Sequence, residues 1–133
     1  MKLILLNGNK NCGKTTTLIM LYNLLTGKMK KKPKKNPIFN KKDFHCVFTY
    51  KKKTIAIVTT GDTLLIILKM IFLYIYVDCL IIAYNTGTPT KENILTCFKQ
   101  KTNFKKTVCK KSVSKTVKYN ANLKDCKKII NAI

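Results

Sequence analysis

Near its start the chain carries Gly8-Asn9-Lys10-Asn11-Cys12-Gly13-Lys14-Thr15, a G-x-x-x-x-G-K-T octapeptide. It is set between an apolar run, Leu3 to Leu6, and a stretch from Thr16 to Leu25 with Leu18, Leu21, Tyr22 and Leu25 at helical spacing. No other feature constrains the fold as strongly. Lys2-Leu3-Ile4-Leu5-Leu6, apolar without alternation, has the pattern of a strand buried on both faces of a parallel sheet. Between that strand and the helix, glycines let the backbone curl so that successive N–H groups face one point, and the helix N-terminus adds its positive end there. Such a concavity holds an anion. Gly8, Asn9, Lys10, Asn11, Cys12, Gly13, Lys14, Thr15 and Thr16 are therefore read as a phosphate cradle. In such a cradle Lys14 is expected to bridge the β- and γ-phosphates of a nucleotide and stabilise transferred charge, and the Thr15 hydroxyl to take one position on Mg²⁺.

These residues resemble the P-loop NTPase superfamily. The order G-x-x-x-x-G-K-T-T, then a strand ending in Gly-Asp, also looks like short uncharacterised bacterial ATP-binding proteins. The resemblance implies a three-layer α/β fold around a mostly parallel sheet, ATP and Mg²⁺ as ligands, and a second signature: a buried strand ending in an acid that holds the metal directly or through water. Two segments compete for it. Thr54-Ile55-Ala56-Ile57-Val58-Thr59-Thr60-Gly61-Asp62 is β-branched almost throughout, whereas Ile71 to Asp78 is rich in Leu, Tyr and Phe at a length that suits a helix. Asp62 is preferred to Asp78 as the metal ligand. Asp62 or Thr63 is also placed to cap the helix that follows.

Along the chain, 27–43 is a basic, Pro-containing stretch that reads as a solvated loop, with contact to a substrate as the alternative. Phe44 to Tyr50 and Thr54 to Thr60 flank Lys51-Lys52-Lys53 as two strands of a hairpin, although three lysines make a poor tight turn. Thr63 to Val77 predicts a core helix, too short to span a bilayer, and a partner-facing or membrane-facing helix is the alternative. Leu80 to Tyr84 reads as a buried strand, with Asn85-Thr86-Gly87-Thr88-Pro89-Thr90 a turn at its carboxyl end. A short helix from Thr90 or Lys91 to Phe98, a strand at Thr107-Val108-Cys109 and a terminal helix capped by Asn122 complete about five strands and four helices in one domain, 1–133.

The formal net charge is +22, yet all 27 basic residues are Lys. Readers of nucleic-acid sequence rely on Arg for bidentate contacts, so this composition predicts mainly non-specific attraction to polyanions. The six cysteines form no C-x-x-C pair and His45 is the single histidine, which suggests neither a zinc nor a haem site. Most of the cysteines fall on apolar segments and read as buried thiols in a reducing compartment, consistent with a cytoplasmic protein that is not stably inserted in a membrane. Asn85-Thr86-Gly87-Thr88 lacks the Lys and Asp of a guanine-reading N-K-x-D, so ATP is expected over GTP.

The reaction is less defined. Without Arg, no arginine finger can come from the same subunit, and Lys10 or Lys91 is the nearest lysine that could substitute as a point charge on the γ-phosphate. The acids are Asp43, Asp62, Asp78, Glu92 and Asp125; with Asp62 on the metal, Glu92 is the candidate base, and a first-turn helix acid is its simpler role. Two functions are expected: a Mg-dependent ATPase or small-molecule kinase, or a nucleotide-dependent switch that contacts nucleic acid or a protein with little catalysis of its own.

Overall fold

The computed structural model describes residues 1–27, 43–85, 105–110 and 118–133. Five strands, β1 (Lys2–Gly8), β2 (His45–Tyr50), β3 (Lys53–Val58), β4 (Cys79–Asn85) and β5 (Lys105–Lys110), form one open sheet in the order β2-β3-β4-β1-β5. Four of them, β3, β4, β1 and β5, are parallel, and β2 pairs antiparallel on the edge of β3. The described helices are α1 (Lys14–Thr26), α2 (Leu64–Leu73) and α3 (Lys118–Ala132). This is an α/β fold.

The continuous apolar strands explain the layers. Along β1 alternate side chains serve opposite faces: Leu3 and Leu5 join Ile67, Met70 and Ile71 of α2, whereas Ile4 and Leu6 join Leu18 and Leu21 of α1 with Cys126 and Ile129 of α3. β4 divides likewise, Leu80 and Ile82 towards α2, Ile81 and Ala83 towards α1. Each fully buried Leu or Ile contributes about 1.5–3 kcal/mol, so these two clusters hold the sheet between its helical layers.

Several expectations are revised. α1 begins at Lys14 rather than Thr16, directly from the loop. α2 stops at Leu73, where Tyr74 leaves the helical region so that its ring packs edge-on against His45 while Val77 turns into the core. Asn122 is not a cap: α3 starts at Lys118, and Asn122 lies buried inside it, its Oδ1 3.1 Å from the Thr17 hydroxyl of α1. Only two of the three lysines form the turn, Lys51 (φ 47°) and Lys52 (φ 64°), both left-handed, while Lys53 begins β3 paired with Tyr50. Most of the Lys-rich stretch, the turn after Asn85 and the expected helix carrying Lys91 and Glu92 lie outside the described residues.

Candidate functional site

β1 ends at Gly8 and α1 begins at Lys14, so the octapeptide becomes a short connection at the carboxyl edge of the sheet, where ligands bind in open parallel sheets. Two residues reverse the chain in the left-handed region, Asn11 (φ 63°) and Gly13 (φ 90°). A Cβ is tolerated there by Asn and absent from Gly. Gly13 occupies the N-cap position of α1, and no side chain caps the helix. The leading amides of α1 thus keep their hydrogen-bonding capacity at the positive end of the helix dipole.

Lys14 is 9 % exposed and its Nζ turns back over the loop, donating to the carbonyls of Gly8 (2.9 Å) and Asn9 (2.7 Å) with the Cys12 Sγ at 3.8 Å. The ammonium is therefore held at the loop by neutral acceptors that an anionic oxygen can replace. Asn9, Lys10, Asn11 and Thr16 are exposed, while Gly8, Cys12, Gly13 and Thr15 are half-buried. The loop rests on a buried support: Thr17 N donates to Gly13 O at 3.0 Å, and the Thr17 hydroxyl faces Gly13 O and the Asn122 Oδ1 of α3.

Asp62 emerges at the same edge. Gly61 precedes it because the chain leaving β3 runs against β4; a Cβ at Gly61 would collide with the carbonyl oxygen of Ala83. That close approach brings Asp62 beside Asn85, whose Nδ2 donates to Asp62 Oδ1 at 2.6 Å. Asn85 is in turn level with Gly8 across the β1–β4 register. The loop, Asn85 and Asp62 therefore form a row across three adjacent strands. Thr63 occupies the N-cap of α2, its hydroxyl accepting from Ile66 N at 3.4 Å.

Asp78 lies at the opposite edge, before β4. Its Oδ2 accepts from Thr54 N at 2.7 Å, its N–H donates to Thr54 O and its carbonyl accepts from Lys2 N, a structural clasp between β1, β3 and β4.

Sequence reasoning gave Asp43 no role. Because β2 is antiparallel, its beginning lies at the carboxyl edge, and Asp43 stands next to it, with Thr59 Oγ1 3.4 Å from its Oδ1. Burial pushes the Asp43 carboxyl above the usual carboxylate range; the hydroxyls of Thr59 and Thr60 oppose the shift and the negative charge of Asp62 adds to it. The signal available in the sequence was the hairpin itself, which reverses strand direction.

Among the described residues no group of three or more His, Cys, Asp or Glu converges as a metal cage. Mg²⁺ requires none, since one or two carboxylates, waters and substrate phosphates complete its octahedron. Thr15 and Asp62 are the residues that could hold it. Cys46 and Cys79 are pushed up to about 12 and about 11 by burial, the pattern of core thiols. A recess of about 230 Å³ lined by Tyr50, Lys51, Lys53, Ile130 and Ile133 opens at the other edge, away from the loop.

No family model, no curated protein and no solved structure matches the chain.

Proposed function

We propose that the chain is a P-loop NTPase-like protein that binds Mg-ATP at the carboxyl edge of its sheet. The observation that carries this reading is the convergence of an uncapped helix start, the Lys14 ammonium and the Asn85-held Asp62 carboxylate along one row. The amides of residues 8–16 receive the phosphates, and Lys14 exchanges the carbonyls of Gly8 and Asn9 for β- and γ-phosphate oxygens. Thr15 and Asp62 would hold Mg²⁺, which would neutralise phosphate charge there. The chemistry is weak ATP hydrolysis or phosphoryl transfer to a small acceptor, in the cytoplasm.

A second reading, a nucleotide-dependent switch contacting a protein or nucleic acid, is favoured by one observation: the chain has no Arg and five acids, which leaves little to drive fast turnover. Transfer of labelled γ-phosphate to a small molecule supports the enzyme. ATP-dependent capture of a partner supports the switch.

Calorimetry with and without Mg²⁺ tests the shared core of both readings. Mg²⁺ should tighten ATP binding about tenfold or more in the natural protein and far less in Asp62→Asn. An equal Mg²⁺ effect in both proteins removes Asp62 from the site.

A further inference from the structure

The amino edge of the sheet carries features that nucleotide binding does not use. Where α2 ends and the chain turns into β4, Phe72, Leu73, Ile75 and Tyr76 are 61, 50, 52 and 68 % exposed. Their neighbours Ile71, Tyr74 and Val77 are buried in the core, so the segment has two apolar faces, one packed and one turned outwards. Scattered apolar side chains are normal on a surface, but four large ones within five residues make a patch.

Cations share this edge. The β3–β4 register sets Ile55 level with Cys79, which puts the turn at Lys51 and Lys52 on the side where 74–78 leads into β4, and both lysines are exposed. Lys2 is level with Cys79 across the β1–β4 register, and Lys53, its Nζ donating to Ile133 O at 2.7 Å, follows the turn. Of the four described side-chain carboxylates, Asp43 and Asp62 stand at the other edge and Asp125 is buried in α3; Asp78 lies here, bound to Thr54 N.

We propose that this edge docks reversibly on an anionic lipid bilayer. Phe72, Leu73, Ile75 and Tyr76 enter the interfacial region, and Lys51 and Lys52 meet headgroup phosphates. Apolar side chains bordered by lysines are the combination that anionic bilayers bind at their surface, without any spanning helix. Among the described residues no helix is long and apolar enough to cross a membrane. Leu73 and Ile75 have no π-face to stack on a base, which separates this patch from a single-strand nucleic-acid platform. The +22 net charge disfavours a second copy as the occupant. Docking by the amino edge leaves the Gly8–Thr15 loop facing water, so lipid and nucleotide can bind together.

The chain contains no Trp, so Tyr76→Trp gives a unique indole fluorophore at an exposed position. The full chain is mixed with vesicles of roughly one-third phosphatidylserine in about 0.3 M salt, which screens purely electrostatic adsorption. The indole of Tyr76→Trp is expected to shift to the blue and to be quenched by acyl-chain bromines, while that of Val47→Trp on β2 is not. Adding Leu73→Ser and Ile75→Ser to Tyr76→Trp should weaken partitioning on the order of tenfold. An unquenched indole in Tyr76→Trp, equal quenching in Tyr76→Trp and Val47→Trp, or a response of Tyr76→Trp elicited only by an oligonucleotide or an acidic protein overturns the proposal. None of these outcomes bears on the nucleotide site, which is read by ATP binding.

Discussion

Asn85, the last residue of β4, donates its Nδ2 to Asp62 Oδ1 at 2.6 Å and thereby ties the end of the central strand to the turn after β3. Since Asn85 is also level with Gly8, it stands between the Gly8–Thr15 loop and the carboxylate. In the proposed site Asn85 positions Asp62. Asn85→Ala is expected to lower the contribution of Mg²⁺ to ATP affinity about tenfold, as loss of an outer-shell partner does, with metal-free binding unchanged. Stability should shift by no more than about 1 kcal/mol, because the bond is exposed. Calorimetry and a urea melt separate the two effects.

Asp62 and Asp78 predict opposite phenotypes. Asp78→Ala removes the acceptor of Thr54 N at the start of β3 and should cost about 1 kcal/mol of stability while leaving Mg-ATP affinity intact. Asp62→Asn should do the reverse, weakening Mg-dependent binding with stability within about 0.5 kcal/mol. Paired denaturation and binding curves decide the assignment. Loss of nucleotide affinity in Asp78→Ala would contradict it.

Much of this arrangement was legible beforehand, and the reason is burial. Strands covered on both faces read as unbroken apolar runs, as in Leu3 to Leu6 and Leu80 to Ala83, and the loop has a fixed spacing because its geometry needs Gly13 left-handed. What depends on distant partners was not legible. Asn122 looked like a cap because Asn favours caps, but a contact with Thr17 of α1 claims its side chain. The apolar pattern of 63–77 suggested one long helix because hydrophobicity does not distinguish a helix from a buried turn. The predicted hairpin already set β2 against β3, and Asp43 at its start could have been placed at the carboxyl edge from that alone.

The turn between β2 and β3 holds two lysines in the left-handed region. Each carries a Cβ penalty that Asn or Gly largely avoids, and two-residue turns with positive φ at both positions favour Asn-Gly. Lys51→Asn combined with Lys52→Gly should therefore raise stability by about 1–2 kcal/mol, read as a higher urea midpoint at unchanged slope. A lower midpoint would show that the lysines stabilise the turn by contacts that outweigh the strain, such as that of Lys51 with the Tyr50 ring.

The single histidine gives the protein a pH dependence of defined sign. Burial holds His45 below its ordinary 6.5, with Nδ1 hydrogen-bonded to the Tyr74 hydroxyl. In the window between the folded value and 6.5, the unfolded chain binds the proton and the folded protein does not, so acidification through that window destabilises the fold. Stability should fall as pH is lowered from about 7.5 to about 5.5, and fall less in His45→Gln. Asp43, shifted upwards by burial, acts in the opposite sense at lower pH, where its protonation favours the folded state. Chemical denaturation carried on down to about pH 3.5 measures both slopes; a slope between about 7.5 and about 5.5 unchanged by His45→Gln would contradict the assignment.

Nucleotide binding as proposed depends most on Lys14, since its ammonium sits at the loop on two carbonyls that phosphate oxygens would replace. Mg-ATP binding by the natural protein and by Lys14→Ala, measured by calorimetry at about 0.3 M salt to suppress non-specific attraction to a +22 chain, is the most direct test. Binding is expected to be saturable and one-to-one and to weaken at least about a hundredfold in Lys14→Ala, while the thermal midpoint of the ligand-free variant stays close to that of the natural protein. Equal binding by the two proteins would mean that the loop does not receive the phosphates.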